Sequence, residues 1–373
     1  MRIAIVDTYY QAFLASQYGA NPGLAHSSYE RQLRALLDRS FGTGDAYSRN
    51  LRELGHEATE LIANCRPMQL KWAEEHSLAL PVAAKLRPAR LSWGTLRRIL
   101  DAQLDELDPD VLYVQDVTYV ERLRPRALGE RGRHLVAQVG SQLPSLDVLR
   151  RYDLVTTLVP PLVERLRALD LDAEYLGAGF DEAVLARLEA EGVTAAPGAE
   201  RPHPVSFVGS IHPDRVHRRG VELLERLCSG VDLEVWGPIH TKLARSSPIR
   251  SRHRGQAWGM DMYRVLAESR VAVNRHGDFA GGFAANMRMF EATGVGAVLM
   301  TESATNLSDF FEPGREVVAY DGVDDLVEKI RHLLEDDDER RRIAAAGQRR
   351  TLTEHTYGHR IRQLAGMLES RLA

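Results

Sequence analysis

The chain has 373 residues, of which 44% are hydrophobic and 27% charged, with a formal net charge of −4. That balance excludes a general nucleic-acid binder, which needs a basic face for phosphate, and the length divides most simply into two domains. Cys65 and Cys228 are too few and too far apart for a disulfide framework or a zinc site, so a reducing cytoplasm is the expected setting.

Residues 2–6 predict a buried strand too short for a signal peptide, and no apolar run approaches a membrane-spanning length. Helices are expected over 27–39 and 46–54 and a strand over 57–62, with a polar loop at 19–28 and an irregular excursion at 66–92. A helix at 93–107 and strands at 111–115 and 135–139 follow. Strand, helix, strand continue over 154–158, 160–169 and 173–176, with Pro160 and Pro161 suited to an opening helical turn. Gly, Ala, Pro and charge over 189–204 read as a linker. A second alternating series then runs through strands 205–208, 233–236, 271–274 and 298–301, the strand-like 316–319, and helices 220–227, 262–269 and 284–293. Leu326, Ile330 and Leu333 share one helix face, as do Ile361, Leu364 and Leu368 on the last helix, about 356–372. The alternation predicts two doubly wound α/β domains facing across a cleft, with ligands at the carboxyl ends of the strands.

The most informative stretch is 274–302, where Gly277, Gly281 and Gly282 lead from a strand into a helix expected to start at Ala284. Free N–H groups and the positive end of a helix dipole suit a phosphate there. Arg288 and Glu291 share a helix face. They read either as a diphosphate cation with an acceptor for ribose hydroxyls, or as a surface ion pair on a core helix.

Four segments carry a resemblance: V-S-F-V-G-S at 205–210, V-W-G-P at 235–238, R-M-F-E-A-T-G at 288–294 and L-S-D-F-F-E-P-G-R-E-V at 307–317. With these the second half resembles the C-terminal domain of GT-B glycosyltransferases (glycosyltransferase group 1), closest to the group containing the spore-maturation CgeB-like proteins. The resemblance implies two Rossmann-like domains: an acceptor-binding domain at 1–181 and a donor-binding domain at 182–355. It also implies that the helix at about 356–373 packs back on the first domain, and that a hinge lies near 182–204. The implied activity is sugar transfer from a nucleotide-diphosphate sugar, UDP first among the bases, to a small-molecule or glycan acceptor, with no cofactor. By position, Gly209 and Ser210 approach the donor phosphates, Arg218 or Arg219 neutralises the diphosphate, Trp236 meets the base or packs in the core, and Glu291 binds ribose. His212, His217 and His276 cluster near these motifs, and Asn286 and Asp278 are polar groups within reach of the sugar. Phe283 stands where many retaining relatives carry a second glutamate, which leaves retaining and inverting courses both open.

In the first half, Asp116 and Asp7 each follow an apolar strand and His26 sits in a polar loop; Asp116 and His26 are the expected bases, against the alternative of a cap or turn role. Gln138, Gly140 and Ser141 are placed on the same edge. D-E-L-D-P-D at 105–110 reads as a helix end and turn, so no metal site is expected, and arginines with the helix dipole take the metal's part. The competing functions are a noncatalytic nucleotide-sugar binding or scaffold protein and a GT-B sugar-nucleotide epimerase.

Overall fold

The computed structural model describes residues 1–82, 84, 91–129, 132–140, 143–213 and 218–372, with Arg218 and Phe279 described in backbone only. Contacts divide the chain into two units, Met1–Leu176 with Ile361–Ala373, and Gly177–Arg360.

In the first unit, β1 (Arg2–Asp7), β2 (Glu57–Ile62), β3 (Val111–Val114), β4 (His134–Val139), β5 (Leu154–Thr157) and β6 (Ala173–Tyr175) form a parallel sheet in the order β2-β1-β3-β4-β5-β6. Helices cover both faces of such sheets, so the strands need apolar side chains on both sides. Every residue of β3 is buried accordingly. In the second unit, β7 (His203–Val208), β8 (Leu233–Trp236), β9 (His253–Gly255), β10 (Ser269–Asn274), β11 (Val298–Glu302) and β12 (Val318–Tyr320) are also parallel, in the order β12-β11-β10-β7-β8-β9. Strand order reverses between β1 and β3 in one sheet and between β7 and β10 in the other. Doubly wound sheets bind ligands outside the carboxyl ends of the strands at such switch points.

The chain leaves the first unit at Leu176/Gly177 and returns at Arg360/Ile361, not at the expected 181/182 and 355/356. The cause is local. The Phe180 N–H donates to the His355 carbonyl at 2.8 Å and its carbonyl accepts the Tyr357 N–H at 2.9 Å. The Phe180 ring is fully buried over Gly294, where a Cβ would lie 2.4 Å from it. Residues 177–182 are thereby tied into the second unit, as is the Ala183–Ala190 helix through buried Val184 and Leu188, so 182–204 is not the crossing segment. The last helix, Tyr357–Leu372, buries Ile361, Leu364 and Leu368. Arg371 near its end ion-pairs with Asp172 at 2.6 Å.

Several helices depart from the expected series. The excursion at 66–92 contains a helix, Arg66–Glu75, with proline in its first turn and Met68 and Trp72 buried; its residues 83 and 85–90 lie outside the described set. Helices Gln11–Ala20 and Val117–Leu123 were not expected. The helix expected from Ala284 begins at Arg288 and is seven residues long, Arg288–Gly294. No described helix is long and apolar enough to cross a membrane.

Candidate functional site

At the second switch point the register sets Ala272 of β10 beside Ser206 of β7, which brings Gly209 and Arg275 to the same edge. The Gly209 N–H donates to the Trp236 carbonyl at 3.0 Å. Gly237 has φ +131°, and a Cβ there would fall 2.0 Å from the Gly209 carbonyl oxygen. Only glycine allows the ends of β7 and β8 to meet this closely. Ser210 is exposed beyond them. The Arg218–Gly230 helix follows, and the Arg218 side chain lies outside the described residues, as does His217.

The end of β10 supplies the densest polar cluster of this edge. Asn274 donates from Nδ2 to Thr301 Oγ1 at 2.9 Å, and its Oδ1 accepts from Asn286 Nδ2 at 2.9 Å. Asn286 Nδ2 also reaches the Arg275 carbonyl at 3.0 Å. His276 donates its N–H to Glu302 Oε2 at 2.9 Å, and its Nε2 lies 3.1 Å from Thr301 Oγ1. Burial pushes the His276 imidazole down to about 4, so it is neutral at physiological pH. Among the described residues, His276 Nδ1 and Asn286 Oδ1 are buried without a hydrogen-bond partner. Buried polar atoms are nearly always paired, so two orphans at one edge call for an explanation.

Sequence reading missed Arg275, although its place directly after a strand at a switch point is the signal that finds it. Its side chain, 11% exposed, pairs with Asp278 and holds Glu302 Oε1 at 3.4 Å. Burial raises the Glu302 carboxyl, while Arg275 and, more weakly, Arg219 oppose that shift. Positive and negative groups thus meet at the carboxyl edge in a setting where an incoming anion can exchange with a carboxylate for the arginines.

Several expected donor residues are placed otherwise. The Ala284 N–H donates to Asn306 Oδ1 at 2.7 Å and the Phe283 N–H to the Ala280 carbonyl at 3.1 Å, so the N–H groups expected to receive a phosphate there are bonded within the protein. Arg288 and Glu291 form an internal pair at 2.7 Å, with Arg288 Nη1 also 2.6 Å from Met262 Sδ. Glu291 is 6% exposed and hydrogen-bonded by the buried Tyr263 hydroxyl; burial raises its carboxyl, opposed by Arg288 and Tyr263. Trp236 is buried, its ring edge-on to His203 at 5.0 Å, and so packs in the core. His212 lies against the His240 ring, with centroids 3.8 Å apart.

In the first unit, Asp116 is the N-cap of Val117–Leu123. Its Oδ1 accepts the Tyr119 N–H at 2.9 Å, and its Oδ2 the Thr8 hydroxyl at 2.5 Å. The cap occupies one oxygen and the Thr8 hydroxyl the other. His26 is exposed at the end of a short 3-10 turn, Leu24–His26. Gln138 Oε1 accepts from the Tyr113 hydroxyl at 2.9 Å, Gly140 follows β4, and Ser141 lies outside the described residues. Asp7, at the carboxyl end of β1, is different: burial pushes its carboxyl up to about 7, the Thr8 N–H opposing and Asp116 adding to the rise. Burial likewise lifts Glu60 to about 8, although its Oε1 accepts the Ser48 N–H at 3.1 Å.

A carboxyl whose value is higher in the folded than in the unfolded chain binds protons on folding. Its stabilising effect is complete below about pH 4 and is lost as pH climbs to the folded value. The melting temperature should therefore fall between about pH 5 and pH 8. Glu60→Gln keeps an acceptor for Ser48 and should flatten that decline, leaving the variant several degrees more stable at about pH 8. Melting curves across this range test it, and an unaltered slope assigns the titration elsewhere.

Among the described residues, His332, Asp336 and Glu339 could together hold a metal ion. Their contacts suit a helix junction: Asp336 Oδ1 caps the Glu339 N–H at 2.8 Å, and His332 Nε2 lies 2.7 Å from Glu339 Oε2.

Residues 215–366 match a protein family described as Glycosyl transferase-like, a span shorter than half of the chain. No curated protein matches. Among solved structures, sucrose-phosphate synthase from Thermosynechococcus elongatus superposes with TM-score 0.58 at 12% identity, over 99% of this chain and 98% of that one. HepE of Anabaena, in complex with UDP, gives 0.55 at 14% identity, over 99% and 100%. A glycosyltransferase from Rickettsia africae gives 0.56 at 9% identity, over 99% and 98%. The chain therefore has the fold of the GT-B glycosyltransferases and carries a glycosyltransferase-like domain over residues 215–366.

Proposed function

We propose that this chain is a glycosyltransferase of the CgeB-like group that moves a hexose from a UDP-sugar to a small-molecule or glycan acceptor, in the cytoplasm and without a metal ion. The observation that carries the reading is the polar edge at the β7/β10 switch point, which lies within the unit that matches the glycosyltransferase-like family. HepE, with the same fold, has been solved with UDP and with UDP-glucose.

In this reading the diphosphate approaches the backbone at Gly209 and Ser210, and Arg275 with Arg219 or Arg218 neutralises the leaving group. An electrostatic clamp of this kind needs no proton transfer and acts where charge develops. Neutral His276 offers Nδ1 and Asn286 offers Oδ1 to sugar hydroxyls, which gives both orphaned atoms a partner. Arg288 and Glu291 position the loop that carries these groups. With Phe283 in place of a carboxylate, the acceptor attacks the anomeric carbon directly and a general base takes its proton; in the first unit, Asp7 at the end of β1 is the carboxyl whose value suits that role.

A thermal-shift panel of UDP, GDP, dTDP and CDP tests the donor. UDP should raise the melting temperature saturably, because a ligand bound only by the folded state stabilises it. Arg275→Ala should weaken UDP by about 1.5 to 3 kcal/mol, the range for hydrogen bonds to charged groups. A panel in which no nucleotide shifts the transition would sink the donor assignment.

A further inference from the structure

The opposite, amino edge of the second sheet encloses a cavity of about 280 Å³ built around arginines. Arg201 lies just before β7, Arg270 is the second residue of β10, and Arg340 and Arg341 stand on the Asp337–Glu354 helix. Against these four cations the lining offers two carboxylates, Asp337 and Glu200. Asp337 Oδ1 is engaged by Arg340 at 2.5 Å.

The buried members make this more than a solvated basic face. Arg201 is 5% exposed and is held by backbone carbonyls: Nη1 by Ser269 at 3.2 Å and Ala267, and Nη2 by Ala196 at 3.2 Å and Val295 at 3.1 Å. None of these acceptors carries a charge, and its Nε is buried with no partner among the described residues. Arg340 is 8% exposed and lies close enough to help lower the Arg201 guanidinium to about 10, burial being the larger cause. Buried charges are ordinarily paired, and a buried cation compensated only by dipoles leaves an excess of positive potential. Among the described residues, the terminal nitrogens of Arg270 and Arg341 have no hydrogen-bond acceptor; Arg270 spends Nε on the Arg201 carbonyl at 3.0 Å, and Arg341 is 3.9 Å from Asp337. The floor is rigid. Gly296 has φ +74°, and a Cβ there would lie 2.9 Å from Arg201 Nη2.

We propose that this cavity is a second ligand site, at the far edge of the sheet from the sugar-transfer site, that takes a small polyanion of phosphate type on the guanidinium groups of Arg270 and Arg341. Two planar forks matched to tetrahedral oxyanions explain why arginine fills these positions. The volume lies just below the usual range of small-molecule sites, about 300 to 1,000 Å³, which suits a pyrophosphate or a small phosphorylated metabolite better than a whole nucleotide sugar.

Melting temperatures measured at constant ionic strength, balanced with sodium chloride, test the site with inorganic phosphate, pyrophosphate and glycerol 3-phosphate, each with and without saturating UDP. Pyrophosphate should raise the transition saturably, and its effect should add to that of UDP. Tighter binding of glycerol 3-phosphate than of inorganic phosphate would identify the natural ligand as an organic phosphate, and the reverse order as a free inorganic one. Arg270→Ala with Arg341→Ala should raise the half-saturating pyrophosphate concentration by about tenfold or more, as expected when charged hydrogen bonds are removed. If that pair of changes prevents folding, Arg341→Glu reverses one exposed charge without touching the buried cations, and the same loss is expected. A response to pyrophosphate no larger than to chloride, one abolished by UDP, or one unchanged in the folded variants would overturn the site. A chain that responds to pyrophosphate but not to UDP would keep this inference and discard the donor assignment.

Discussion

Arg288→Ala should cost about 3 to 5 kcal/mol of stability, the usual effect of stripping one partner from a buried ion pair. Glu291 is 6% exposed, and without Arg288 its carboxylate keeps only the Tyr263 hydroxyl. A carboxyl already raised by burial then rises further, because the group that opposed the shift is gone. The sign of the pH effect follows. In acid, where Glu291 is protonated in both folded and unfolded chains, the variant should approach the parent, and the deficit should widen as pH rises. Adding Glu291→Gln removes the uncompensated charge and should restore part of the loss at about pH 8, leaving a clear coupling term in the double-mutant cycle. Urea unfolding at about pH 5 and pH 8 supplies the numbers. The opposite result is equally readable: unaltered stability with UDP weakened by about 1.5 to 3 kcal/mol would make Arg288 the diphosphate ligand that its spacing suggested.

That spacing shows where local reading succeeds and where it stops. The partnership of Arg288 with Glu291 was legible because residues three apart on a helix must meet, but nothing local tells that the pair is covered by Met262 and Tyr263 from a preceding helix. The start of the helix was misjudged for a related reason. Ala284, Ala285, Asn286 and Met287 are competent helix residues, yet both backbone groups of Ala284 are captured by the Asn306 side chain, at 2.7 and 3.2 Å, from a loop beyond β11. Strands were read well where parallel pairing buries both faces, as in β3 and β10, since continuous apolar runs have few other uses. The Gln11–Ala20 helix escaped because Phe13, Leu14 and Gln17 are buried among alanine, serine and glycine, with no polar face to contrast with them. At the site, the glycines of 205–210 and 235–238 were recognisable as motifs, whereas the need for Gly237 arises from a carbonyl twenty-eight positions away, that of Gly209.

Asp7→Asn should lower turnover by about a hundredfold or more while leaving UDP affinity unchanged, the size of effect expected when a general base is removed. Asp7 ends β1 next to β3, at the point where strand order reverses, and burial holds its carboxyl at about 7. A base with that value is half deprotonated near neutrality and strong enough to take a hydroxyl proton, which an exposed aspartate is not. Parental turnover should therefore rise with pH through about 7 and level off, and the asparagine variant should lose that step. Stability moves the other way: removing a carboxyl that resists ionisation should make the variant more stable at about pH 8, so lost activity could not be ascribed to unfolding. Asp116 provides the contrast. Both of its oxygens are committed, one to the Tyr119 N–H and one to Thr8, so Asp116→Ala should cost about 1 kcal/mol as a lost cap and leave turnover near normal. Should Asp7→Asn turn over at the parental rate while Asp116→Ala is inactive though folded, proton transfer belongs to Asp116, and the half-buried carboxyl of Asp7 is only its neighbour.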